Sequence, residues 1–177
     1  MDDNTLVESS FSAIINAPIE KVDITDWCFS LPEFEYQKAS PAHNACGTTT
    51  TADGRRMSIN VEILGGSVMV QHYVEEIGRP DHLKLVSNSD IFTPTGRTKV
   101  GVIWDLSVKK IDAKTCEFTN TVHSSFTPEL LNMIAQQGIP RDVFQATRRP
   151  ISEAHNRQET PCFAQSIERH ALHRMTT

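Results

Sequence analysis

No stretch of this sequence approaches the run of about 20 apolar residues that a membrane helix needs, so no membrane insertion is expected. Positive charge is short as well. Seventeen Lys and Arg stand against 22 Asp and Glu, a net charge of −5. Nucleic-acid backbones are bound by clustered positive charge, so no nucleic-acid partner is expected. The four cysteines, Cys28, Cys46, Cys116 and Cys162, are scattered and form no Cys-x-x-Cys pair. They read as reduced thiols in a cytoplasmic protein. The seven histidines are scattered too. His170 and His173 lie three apart without a third ligand nearby, and no metal site is expected. No glycine-rich phosphate loop follows a strand and no nucleophile elbow is present, so no cofactor is expected. The opening Met1-Asp2-Asp3-Asn4 is acidic and polar, unlike the leader of a signal peptide. Repeats, low-complexity tracts and linkers are missing.

What is present is ordinary globular material: 38% hydrophobic and 22% charged residues over 177 positions. That fits a single domain spanning 1–177, with 1–6 as a tail and 138–177 as an irregular helical C-terminal segment. Val7 to Asn16 alternates apolar and polar residues with the period of a strand. Pro18 and Pro32 sit where helices tolerate proline, in the first turn, and predict two short helices. Asp53-Gly54 and Gly65-Gly66 read as two-residue hairpin turns. Further turns fall at 78–81, 93–96 and 112–114. They separate six strands, about 43–52, 55–64, 67–77, 82–92, 97–111 and 115–126, in an antiparallel meander. Thr127-Pro128-Glu129 opens a helix with Leu130, Leu131 and Ile134 on its apolar face. Helical rhythm resumes from Arg141 to His155 through Val143 and Phe144. Pro150 is expected to kink or split it, and Pro161 to start a last helix.

The segment Phe11-Ser12-Ala13-Ile14-Ile15-Asn16-Ala17-Pro18-Ile19-Glu20-Lys21-Val22, followed by this meander and a helical C-terminus, resembles the START-like, or Bet v1-like, superfamily of polyketide cyclases and lipid-binding proteins (SRPBCC). Asp23 stands where the family usually carries an aromatic. The resemblance covers the chain to about residue 135. It implies an α+β helix-grip fold: a seven-stranded curved antiparallel sheet wrapped around a C-terminal helix, with two short helices after the first strand. It also implies a cavity between sheet and helix for a hydrophobic or aromatic small molecule. Some members catalyse cyclisation, aromatisation, condensation or hydrolysis, and others only carry ligand. The family shares no catalytic residue, so the fold transfers no mechanism.

Alternation assigns faces. Met57, Ile59, Val61 and Ile63 share one face of their strand, and the apolar face is expected to look inward, leaving Ser58, Asn60 and Glu62 to solvent. Val68, Val70, His72 and Val74 share a face of the next strand. Val100, Val102, Trp104, Leu106 and Val108 share one later, and Cys116, Phe118, Asn120, Val122 and Ser124 another. Ser87 and Ser89 follow the inward Leu83 and Leu85. A mostly apolar wall with a few polar groups is what a ligand pocket needs. His72 is then the candidate general acid/base, because its ordinary pKa near 6.5 serves both roles. Asn120 is the candidate donor to a carbonyl or enolate oxygen. Met57, Ile59, Val61, Val70, Trp104, Phe118, Val122, Ile134, Phe144 and His155 are the candidate substrate contacts. Each of these residues would equally serve a packed core. Arg148 and Arg149 read as solvated, with either able to reach an acidic ligand group. Three functional classes follow: a cofactor-free enzyme for cyclisation, dehydration or isomerisation, a non-catalytic carrier, and a protein-interaction domain. The C-terminal segment would serve as a lid or as the contact of a homodimer.

Overall fold

The structure, a computed structural model, describes residues 4–173. β1 (Thr5–Ile15) is followed by a 3₁₀ turn (Ile19–Lys21), α1 (Ile24–Ser30) and α2 (Glu33–Ala39). Six strands then run in sequence: β2 (His43–Thr50), β3 (Arg56–Leu64), β4 (Ser67–Arg79), β5 (His82–Thr93), β6 (Gly96–Lys110) and β7 (Cys116–Phe126). α3 (Pro128–Gln136) and α4 (Arg141–His173) close the chain. The seven strands form one antiparallel sheet in the order β1-β7-β6-β5-β4-β3-β2, so β1 returns beside β7 and the rest is a plain meander. Among the described residues no helix is long and apolar enough to cross a membrane.

Local chemistry explains the corners. Gly65 and Gly66 both have positive φ and form the two-residue turn between β3 and β4. At Asp53-Gly54 only the glycine is left-handed. There the link spans residues 51–55, held by bonds from Thr51 N to the Arg55 carbonyl and from Gly54 N to the Thr51 carbonyl. The Thr127 side chain accepts from Leu130 N and caps α3. The N-terminal strand begins at Thr5, with Leu6 buried, so the tail expected over 1–6 is shorter. Residues 1–3 lie outside the described residues.

Two expectations are corrected. The C-terminal segment is neither irregular nor divided: α4 is one helix of 33 residues with Pro150 and Pro161 inside it. Each proline removes one helical hydrogen bond, freeing the carbonyls of Ala146 and Arg157. Those two residues are themselves exposed. The second correction concerns β3 and β4. Ser58, Asn60 and Glu62 on β3, and Ser67, Met69, Gln71 and Tyr73 on β4, are the buried, inward residues. Met57, Ile59, Val61, Val70 and His72 therefore lie on the outer face. β-branched residues suit a strand on either face, so alternation fixes the two sets without saying which looks inward. On β6 and β7 the expected faces are the observed ones, with Val102, Trp104, Leu106, Phe118 and Asn120 buried.

Candidate functional site

α4 crosses the concave side of the sheet with one stripe turned inward. Phe144, Arg148, Ser152, the adjacent His155 and Asn156, Glu159 and Phe163 follow one another at the three- or four-residue spacing of one helical face. Between this stripe and the strands lies a cavity of about 140 Å³. One set of walls is apolar, with Leu6, Val7, Met69, Ile91, Leu130 and Met133. Tyr36, Asn60, Glu62, Gln71, Tyr73, His155 and Glu159 make the polar walls. Gln71 Oε1 and Thr98 Oγ1, both on the lining, are buried without a hydrogen-bond partner among the described residues. Arg148 also lines the cavity, its guanidinium 3.5 Å from the Leu64 carbonyl oxygen. Burial holds its pKa below the usual arginine value.

The polar walls end in a cluster made of two pairs. His43 and Glu62 are cross-strand neighbours on β2 and β3. His155 and Glu159 are one turn apart on α4. His43 Nε2 is 3.1 Å from Glu159 Oε2 and 3.8 Å from Glu62 Oε1. His155 Nε2 is 3.3 Å from Glu159 Oε2 and 3.6 Å from Glu62 Oε2. His43 Nδ1 donates to the Tyr36 carbonyl at 2.7 Å, and the two rings stack 3.9 Å apart. The Tyr36 hydroxyl donates to Glu62 Oε1 at 2.7 Å. Glu159 Oε1 accepts from Asn120 Nδ2 at 3.0 Å, and Asn120 Oδ1 accepts from Trp104 Nε1 at 2.9 Å. Ser40 Oγ lies 3.3 Å from His155 Nδ1.

Electrostatics follow from burial. Desolvation raises the Glu62 pKa, assisted by the Glu159 charge and opposed by His155, His43 and the Tyr36 hydrogen bond. Burial also pushes the Tyr36 phenol well above its ordinary range, and the adjoining Glu62 carboxylate adds to this. For His43 burial acts downward, yet the hydrogen bond and charge of Glu159 outweigh it, so its pKa is raised. The geometry agrees. Nδ1 donates to a carbonyl, and Nε2 stands 3.1 Å from a carboxylate oxygen, where a proton on the ring is favoured.

Of the residues expected at the site, the structure brings together Trp104, Val122, Phe144 and His155 on the cavity lining. Phe118 and Ile134 are buried but do not line it. Asn120 is 0% exposed behind the wall, with both amide atoms bonded to protein groups, so it is not poised to donate to a guest. His72, Met57, Ile59, Val61 and Val70 are outside the cavity for the reason of face given above, and His72 is not a candidate acid/base. Near the C-terminus, His170 Nε2 lies 3.0 Å from Asp26 Oδ2. Tyr36, His43, Glu62, Gln71, Tyr73 and Glu159 were missed. One local signal was available, the His155–Glu159 spacing of four.

No sequence model of a protein family matches the chain, and no curated protein matches it. Solved structures do. The Zhui aromatase/cyclase from Streptomyces sp. R1128 superposes with a TM-score of 0.64 at 9% identity, over 95% of this chain and 94% of that one. A START superfamily protein from Mycobacterium smegmatis gives 0.54 at 14% identity, over 94% and 97%. A norcoclaurine synthase from Thalictrum, solved with a transition-state analogue, gives 0.50 at 11%, over 95% of each chain. At such identities the likeness shows architecture alone: this chain has the START-like, or Bet v1-like, helix-grip fold.

Proposed function

We propose that the chain binds a small aromatic or otherwise hydrophobic molecule bearing oxygen groups, and that the cluster at the polar end of the cavity does acid/base chemistry on it. The observation that carries this reading is one cavity in which apolar walls meet Tyr36, Glu62, His155 and Glu159. Size narrows the guest. Cavities on the order of 150 Å³ hold a benzene-sized molecule, so about 140 Å³ suits one ring better than a fused polyketide. The unpartnered Gln71 Oε1 asks for a hydroxyl or N–H donor on the guest. Glu62, with its raised pKa, is the group placed to hold and release a proton beside His155. The aromatase/cyclase likeness supports cyclisation, dehydration or isomerisation as the reaction class.

A carrier without turnover is the second reading. It is favoured by the extent to which Glu62 and Glu159 are already bonded to Tyr36 and Asn120. Native mass spectrometry of freshly purified protein, then turnover assays with the retained molecule, test both. Turnover lost in Glu62→Gln with binding kept supports the enzyme. Binding with no turnover leaves the carrier. A chain that neither retains nor binds monocyclic phenols or ketones refutes the proposal.

A further inference from the structure

We propose that His43, His155 and Glu159, with the Glu62 carboxylate beside them, form a binding site for one divalent transition-metal ion of the zinc, iron(II) or manganese(II) type. The ligand atoms are His43 Nε2, His155 Nε2 and Glu159 Oε2. This goes beyond the reading above, and the site itself does not depend on turnover.

Spacing is the first argument. Donors about 2.0–2.2 Å from an ion at tetrahedral angles stand roughly 3.3–3.6 Å from one another. The two histidine nitrogens lie 3.1 and 3.3 Å from Glu159 Oε2. His43, His155 and Glu159 place all their donor atoms within 4.8 Å of one another. Glu62 stands at the edge of this group, its Oε2 3.6 Å from His155 Nε2 and its Oε1 3.8 Å from His43 Nε2.

The surrounding shell is the second argument. Metal-bound histidines have their other nitrogen held by a carbonyl, carboxylate or hydroxyl, and bound carboxylates have their other oxygen held. Here His43 Nδ1 is fixed by the Tyr36 carbonyl, which leaves Nε2 as the donor to the ion. Ser40 Oγ stands at His155 Nδ1. The Tyr36 hydroxyl holds Glu62 Oε1, and Asn120 Nδ2 holds Glu159 Oε1. The indole N–H of Trp104 fixes which way that amide points. Each of the three ligands, and Glu62 beside them, is thus held by its own group, two of these groups belonging to Tyr36.

Charge is the third. Two buried carboxylates draw positive charge, which His43 facing Glu159 can carry as a proton and which one divalent ion can supply in its place while both imidazoles stay neutral. Two imidazoles with one carboxylate, leaving a position open, are a donor set that suits zinc, iron(II) or manganese(II). Glu62, His155 and Glu159 border the cavity, whereas His43 lies behind them. A guest oxygen therefore approaches the ion from the cavity side.

The test uses the full chain, stripped with a chelator and titrated with Co²⁺ alone. One equivalent is expected, with the visible absorption of a four- or five-coordinate ion and a rise in melting temperature. Glu159→Gln and His155→Ala should each weaken Co²⁺ binding at least 100-fold, and Tyr36→Phe about tenfold through the lost orienting bond. His155 sits at the cavity edge, so its variant remains informative if Glu159→Gln fails to fold. A folded wild type that takes up neither Co²⁺ nor Zn²⁺ stoichiometrically overturns the proposal. So does binding that survives both ligand variants unchanged. Metal uptake without guest binding would refute the function proposed above and leave the site standing. Guest turnover in the chelated protein that takes up no metal would do the reverse.

Discussion

Replacing Asn120 should cost stability, because the residue is a fully buried connector between a tryptophan and a carboxylate. Its Oδ1 accepts from Trp104 Nε1 at 2.9 Å, and its Nδ2 donates to Glu159 Oε1 at 3.0 Å and to Thr160 Oγ1 at 3.2 Å. In Asn120→Ala the Thr160 hydroxyl keeps its bond to the Asn156 carbonyl. The indole N–H and the Glu159 oxygen do not keep theirs. A buried group left unpaired costs about 1–3 kcal/mol, with a carboxylate at the upper end, so the two together cost about 2–6 kcal/mol. For a chain of this size that lowers the melting temperature by roughly 5–20 °C. Asn120→Leu keeps the number and branching of the heavy atoms, though in a larger volume, and so tests missing hydrogen bonds without missing atoms; a loss at least as large is expected. Urea titration followed by circular dichroism measures it, with a lower midpoint at an unchanged slope. If both variants stay within about 0.5 kcal/mol of wild type, the connector role is wrong. Loss of turnover at undiminished stability would return Asn120 to the role of substrate donor.

The outer-face position of His72 predicts that His72→Ala changes stability by about 0.5 kcal/mol at most and leaves guest binding and turnover intact; a large loss of turnover would put that face at the site. Burial pushes the Cys28 thiol up to about 12, so roughly one thiol in 10⁴ is ionised at pH 8. Cys28 should accordingly resist iodoacetamide in the native protein and react only after unfolding, with modified tryptic peptides as the readout. Proline costs about 3 kcal/mol against alanine in a helix interior, partly offset by the stiffer unfolded chain. Pro150→Ala and Pro161→Ala should therefore each stabilise by about 2 kcal/mol; a drop in melting temperature in both would show that the prolines are required for the way α4 lies on the sheet.

Turn chemistry made most of the fold legible. Gly65-Gly66 and the turns near residues 80, 94 and 113 separate the strands where the structure separates them. β6 was readable in full, because its inward set holds Trp104 and Leu106 while its outward set holds Asp105 and Lys109. β3 and β4 lacked that asymmetry of reward. Their apolar residues satisfy strand propensity from the outer face, and on the inner face Glu62 is satisfied by groups far away in sequence while Ser58 bonds Asn60 two residues on. Glu62 is buried against Tyr36 on a short helix and against two histidines on other elements. Nothing within a few residues of Glu62 announces those partners. The prolines of α4 were misread for a related reason. Their local cost is fixed by sequence, but the packing of Phe163, Ala164 and Ile167 in the core keeps the helix whole despite it.

The cluster itself shows why local reading stops where it does. It is the sum of two commonplace pairs. A histidine and a glutamate facing each other across two antiparallel strands are an ordinary cross-strand contact. A histidine one turn before a glutamate is an ordinary helical one. Neither pair alone gathers more than two donors, and neither alone would be removed from water. Chemistry appears only when α4 is laid across β2 and β3, which brings Glu159 Oε2 to within 3.1 Å of His43 and buries both carboxylates together. At that point two ordinary pairs become one buried group in which three donors stand within 4.8 Å of one another beside a second carboxylate, the arrangement from which the proposed cation site follows.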